Sequence, residues 1–218
     1  MTIDAALTAH FRRLATCLLA VAWVVAATAC SEAKRNPLPP GSSVLVLGDS
    51  ISAGYGLDPA QAWPAHLAQS TGWNVINGGV SGDTAEQGLA RLAFLLESHR
   101  PTAVIIELGG NDMLRRLPEQ ETRARLSEII AQVRAASARP ILMAVPKPSV
   151  AGAAFGSLSD ADFYAEVAKK ESVVLLPDVI SEVLSESQYK LDQLHPNAEG
   201  SRVLADRATA ALKKGGLL

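Results

Sequence analysis

A three-layer α/β/α sandwich around a five-stranded parallel sheet is the fold that the sequence predicts, on three observations. Apolar runs without alternation recur at 44–47, 103–108, 141–145 and 173–176, with a shorter run at 74–77, and such runs read as strands buried on both faces. Segments with apolar residues at helical spacing lie between them, as the crossovers of a parallel sheet require. Several runs end in turns rich in Gly, Asn, Asp and Ser, and in such a sheet these turns fall on one edge, where ligands bind.

The first strand runs through Val44, Leu45, Val46 and Leu47 into Gly48-Asp49-Ser50. The glycine permits a sharp turn, and Asp49 or Ser50 suits the N-cap of a following helix. Residues 61–70 read as a short helix with Trp63 and Leu67 apolar and Pro64 in its first turn. Residues 74–77 form the second strand, followed by the turn Gly78-Gly79-Val80-Ser81-Gly82-Asp83. The next helix carries Leu89, Leu92, Leu95 and Leu96, with Thr84 and Gln87 as a capping box and Asp83 as a competing cap. The third strand, 103–108, ends in Gly109-Gly110-Asn111-Asp112, and the helix 119–138 aligns Leu126, Ile129, Ile130 and Val133 on one face. After the fourth strand, 141–145, comes a stretch rich in Pro, Gly, Ala and Ser, then a helix near 159–170 and the fifth strand, 173–176. A further helix leads to Asp192-Gln193-Leu194-His195-Pro196, and the last helix, 197–213, is closed by Gly215-Gly216.

A length of 218 residues suits one domain, and a composition that is 48% hydrophobic but only 5% aromatic fills an aliphatic core. The formal net charge of -2 supplies no basic face of the kind that nucleic-acid binding requires. Arg12 and Arg13 precede an uncharged stretch, 14–29, which reads as an export signal and is too short for a membrane span. Residues 1–29 are therefore assigned to a signal peptide. Residues 30–42, with Pro37, Pro39, Pro40 and Gly41, form a tether, and 43–218 form the folded domain. The mature chain is expected outside the cytoplasm, in the periplasm or cell envelope. Ala27-Thr28-Ala29-Cys30 resembles a bacterial lipoprotein signal, which implies lipidation of Cys30 and a membrane anchor. Ala27 stands where that pattern prefers leucine, so ordinary cleavage after Ala29 is the alternative. Cys17 and Cys30 are the two cysteines, which leaves the domain without a thiol, a disulfide or a cysteine-ligated metal.

Taken singly, each polar turn has a structural explanation: Gly82 suits a tight turn, Asn111 a helix cap, and His195 with Asp192 an exposed pair before the last helix. Together they give one sheet edge a hydroxyl (Ser50), an imidazole (His195), a carboxylate (Asp192), a flexible backbone amide (Gly82) and a side-chain amide (Asn111). Acyl transfer requires that set. Ser50 attacks a carbonyl, His195 removes its proton, and Asp192 holds the imidazole in the useful tautomer. The amides of Ser50 and Gly82, with the Asn111 side chain, then donate to the oxyanion. The chain order Ser, Asp, His is shared with α/β-hydrolases, but no Gly-x-Ser-x-Gly elbow surrounds Ser50, which implies a different hydrolase fold. His66 and His99 have no comparable partners and read as structural or exposed. No metal-ligand cluster and no nucleotide-binding glycine loop is present, so neither metal nor cofactor is expected.

Gly48-Asp49-Ser50, Ser81-Gly82-Asp83, Gly109-Gly110-Asn111-Asp112 and Asp192-x-x-His195-Pro196 resemble the four blocks of the SGNH or GDSL hydrolases. The resemblance covers about 43–213. Gly54-Tyr55, Trp63-Pro64, the stretch Gln87-Gly88-Leu89-Ala90-Arg91-Leu92 and Glu107-Leu108 are similar to the bacterial periplasmic thioesterase I, lysophospholipase and arylesterase branch. The resemblance implies a flavodoxin-like sheet, with Ser50 as nucleophile, Gly82 and Asn111 completing the oxyanion hole, His195 as base and Asp192 as its partner. It also implies small-molecule ester or lipid substrates: aryl and short-to-medium acyl esters, with thioesters and lysophospholipids as further candidates. Residues 146–156 depart from the thioesterase pattern, which leaves the acyl-binding wall undefined. A carbohydrate O-deacetylase or acetyltransferase is the alternative within catalysis, and a non-catalytic envelope-binding lipoprotein the alternative of another class.

Overall fold

The computed structural model describes residues 36–149, 151–152 and 156–218; the export signal and Cys30 lie outside the described residues. Strands β1 (Ser43–Gly48), β2 (Asn74–Asn77), β3 (Ala103–Glu107), β4 (Arg139–Met143) and β5 (Val174–Leu176) form one sheet in the order β2-β1-β3-β4-β5. Every pairing is parallel. This is the flavodoxin-like order. The chain leaves β1 toward one edge and returns across it to β3, so a crevice opens beyond the carboxyl ends of those two strands.

The helices are α1 (Ser50–Ala53), α2 (Trp63–Thr71), α3 (Ala85–His99), α4 (Gly110–Leu114), α5 (Glu119–Ala135), α6 (Phe163–Glu171), α7 (Val179–Ser185) and α8 (Ala198–Lys214). On one side of the sheet α2, α7 and α8 pack together, and on the other α3, α5 and α6 do so. Val44 to Leu47 and Ala103 to Ile106 have no solvent exposure, which explains why their sequences lack alternation: both faces are covered. Burying a side chain of that size contributes roughly 1.5–3 kcal/mol.

Local signals account for several boundaries. Thr84 and Gln87 form the expected capping box on α3, and the Asn197 side chain accepts from the Gly200 amide at the start of α8. Other ends differ from expectation for identifiable reasons. Helix α5 stops at Ala135 because Ser137 takes a left-handed conformation (φ 60°) and the Ala138 amide closes onto the Val133 carbonyl. Strand β4 starts two residues earlier than its apolar run, because Arg139 pairs with Ala103 and its amide donates to the Thr102 carbonyl before the hydrophobic stretch begins. Helix α6 begins at Phe163 rather than near 159, since Asp160 is drawn into a bridge with Pro146. Leu38 is buried, its amide donates to Leu217, and its carbonyl accepts from the Trp73 indole.

Candidate active site

Strand β1 delivers Ser50 to the crevice. Asp49 caps the single turn of α1, its Oδ1 accepting from the Ile51 amide at 3.0 Å, and Gly54 closes that turn in the left-handed region. The cap reading of this segment holds for Asp49, and the capped turn sets Ser50 on the cavity.

His195 arrives from the opposite end of the sequence, on the loop before α8. That loop is pinned by a bridge between Lys190 and Pro196 and by the Leu191 amide donating to the His195 carbonyl. Asp192 folds back on its own loop, with Oδ1 accepting from the amides of Leu194 and His195 at 2.8 Å each. Its Oδ2 lies 2.8 Å from His195 Nδ1, and His195 Nε2 lies 2.9 Å from Ser50 Oγ. With the Nδ1 proton directed to Asp192, Nε2 is left as the acceptor for the Ser50 hydroxyl. Burial works to raise the Asp192 pKa, but the hydrogen bonds from His195 and the two amides hold it below the usual carboxylate range. Tyr55 adds a contact not foreseen from the residues themselves: its ring lies 4.5 Å from the His195 ring, tilted by 30°.

The turn after β2 places Gly82 beside Ser50 at the cavity, with φ 85° and its carbonyl held by Arg115 Nη2 at 2.7 Å. Asn111, in the first turn of α4, faces the same cavity. Its Nδ2 donates to Asp49 Oδ2 and to the Asp83 carbonyl, each at 3.0 Å. Asn111 is thus the bridge between the turns that follow β1 and β2. Two acids of the same motifs serve structural ends. Asp83 binds Arg91, which also donates to the Gly48 carbonyl, and Asp112 accepts from the Ala85 amide and the Thr122 hydroxyl. Burial raises the Asp49 carboxyl from 3.8 to about 6, against the opposing effects of the Ile51 amide, His195 and Asn111.

These groups lie on a cavity of about 780 Å³. Its apolar lining comes from Ile51, Leu114, Val145, Leu158, Leu184 and Leu194. Pro146, Lys147, Pro148 and Ser149 also line it, so the segment that departs from the thioesterase pattern does form part of the wall. Leu158 and Leu184 carry no sequence signal for this role, being ordinary apolar residues brought in by the fold. His66 and His99 are absent from the lining. Among the described residues no cluster of three or more His, Cys, Asp or Glu side chains could hold a metal ion.

The model of the GDSL-like lipase/acylhydrolase family matches residues 46–203. A protein of Escherichia coli (strain K12) named thioesterase 1/protease 1/lysophospholipase L1 is 41% identical over 169 residues, covering 75% of this chain and 80% of the relative. An arylesterase of Vibrio mimicus is 36% identical over 177 residues, covering 78% and 88%. The crystal structure of TesA superposes with a TM-score of 0.71 at 33% identity, over 79% of this chain and 99% of that one.

Proposed function

Because the chain belongs to the GDSL-like lipase/acylhydrolase family and is a serine esterase of the SGNH type, we propose that it hydrolyses aryl and short-to-medium acyl esters through an acyl-enzyme on Ser50. The observation that carries this reading is the unbroken relay Ser50, His195, Asp192, at 2.9 and 2.8 Å, opening on an apolar cavity.

In the proposed reaction His195 Nε2 takes the Ser50 proton as Oγ attacks the ester carbonyl, and Asp192 stabilises the imidazolium that forms. The developing oxyanion accepts from the amides of Ser50 and Gly82 and from Asn111. Arg115 holds the Gly82 carbonyl, which belongs to the peptide after the donating amide, and so restrains the turn that carries the second donor. Asn111 shares one of the hydrogens that it otherwise directs to Asp49 and the Asp83 carbonyl. His195 then protonates the leaving alcohol, and a water activated by the same nitrogen releases the acid. The sugar-ester and non-catalytic alternatives draw no support from the relatives described above.

Apolar lining favours an acyl chain over a polar substituent, and each buried methylene contributes about 0.8 kcal/mol at most. We therefore expect kcat/KM on p-nitrophenyl esters to rise several-fold per added carbon until the cavity is filled, then to level off or fall. Negligible turnover of every ester longer than acetate, beside efficient deacetylation of sugar acetates, would refute this substrate class. The names of the relatives extend the proposal to thioesters and lysophospholipids as further substrates. For location we propose export, with Cys30 as the site of a lipid anchor. Among the described residues no helix is long and apolar enough to cross a membrane.

A further inference from the structure

Beneath the Ser50 turn lies a buried acid that the acyl-transfer scheme leaves unused. Glu107 is the last residue of β3, the central strand beside β1, and has no solvent exposure. Its Oε2 accepts a hydrogen bond from Ser52 Oγ at 2.6 Å. Ser52 is equally buried and sits in the same helical turn as Ser50. The backbone amides of Asp49 and Ser52 also act on this carboxyl. The groups that meet Glu107 therefore flank the nucleophile on both sides in sequence. Gly48 makes the arrangement possible: a Cβ there would lie 2.2 Å from Ser52 Oγ and 2.7 Å from Glu107 Oε2.

We propose that Glu107 is a positioning residue for Ser50, tying the turn that carries the nucleophile to the central strand through Ser52. The inference rests on Ser50 being the nucleophile. The site disfavours the charged form of Glu107. Burial, and after it the negative charge of Asp49, pushes its pKa well above the ordinary range. Its second oxygen, Oε1, is buried without a hydrogen-bond partner among the described residues, which a neutral carboxyl tolerates far better than an anion. The alternative is that Glu107 merely fills the core. The two differ in what they do to the reaction. A lost filler lowers the folded fraction, whereas a loosened turn displaces Ser50 Oγ from its line to His195 and slows attack with little effect on substrate binding, which the cavity walls supply.

The test compares wild type, Ser52→Ala, Glu107→Ala and Glu107→Gln, using kcat and KM on p-nitrophenyl butyrate and the rate of fluorophosphonate labelling, with the labelled peptide mapped. Ser52→Ala is the smallest change and keeps the test valid should Glu107→Ala fail to fold. Expected for Ser52→Ala is a roughly tenfold loss in both kcat and labelling rate, with KM within about twofold and labelling still confined to Ser50. Glu107→Gln, neutral and of the same shape, should restore most of the rate that Glu107→Ala loses. Unchanged kcat and labelling rate in folded Ser52→Ala would overturn the proposal, as would losses that only track the folded fraction. Wild-type labelling at a residue other than Ser50 would instead overturn the nucleophile assignment.

Discussion

Replacing Asp49 by asparagine should change how stability depends on pH by an amount that the structure sets. The side chain is 3% exposed, and burial holds its pKa near 6 in the folded chain against 3.8 as the ordinary value. At about 1.36 kcal/mol per pKa unit, that difference corresponds to roughly 3 kcal/mol. The sign follows from linkage. A folded pKa above the unfolded one means that the native state holds the proton more tightly, so the contribution is fully present below about pH 4 and is lost as pH rises through about 6. The substituted asparagine would carry no charge to bury. Its side-chain oxygen could still accept from the Ile51 amide, while its amide group would face the Asn111 donor and lose that bond. The part of that bond that depends on the charge of Asp49 is already contained in the folded pKa near 6, and the remainder offsets the variant equally at every pH. Urea unfolding of both proteins from pH 4 to pH 8 should therefore show the variant gaining roughly 3 kcal/mol on the wild type across that range, most of it between about pH 4 and 6. In thermal scans the relative gain should be about 6–12 °C for a domain of this size. Stability curves that run parallel over the whole range would mean that Asp49 carries the same charge in folded and unfolded chains, contrary to this expectation.

Two further perturbations address the oxyanion site and the N-terminus. Asn111→Ala should lower kcat by roughly 10²- to 10³-fold with a smaller change in KM, the scale for removing one oxyanion donor. Unchanged turnover per folded molecule, with a lower melting temperature, would leave Asn111 only its bridge between Asp49 and Asp83. Cys30→Ser should release active enzyme from membranes, provided that the anchor carries two or more acyl chains, because a single chain binds only marginally. Finding the wild-type protein wholly in the soluble fraction with an unmodified Cys30 would dispose of the anchor.

What the sequence revealed and what it concealed follow from the range of the interactions involved. Val44 to Leu47 announced β1 because burial on both faces removes every polar residue from the run. Thr84 with Gln87 and Asn197 announced their helices because caps are local chemistry. The end of α5 was hidden, since Ser137 adopts a conformation for which glycine is the usual signal. The bridge from Pro146 to Asp160 was equally hidden, as backbone pairing has no signature in hydropathy. In the site, Ser50, Gly82 and Asn111 stood out as polar or flexible residues in the turns that follow strands, and Asp192 with His195 as a polar pair just before the last helix. Tyr55 against His195 did not, nor did Glu107 beneath Ser52, for these contacts join positions far apart in the chain and use residues common in any fold. Asn111 was legible as a donor but not as the link between Asp49 and Asp83, which only the juxtaposition of three turns creates.

Rapid acid quenching of the enzyme with p-nitrophenyl butyrate, followed by mass spectrometry of its peptides, tests whether a covalent acyl-enzyme forms on Ser50 with His195 as base. A butyryl adduct is expected on the peptide containing Ser50, formed with a burst of nitrophenolate stoichiometric with enzyme, and neither adduct nor burst in a folded Ser50→Ala variant. An adduct on another residue, or wild-type turnover by Ser50→Ala, would contradict it.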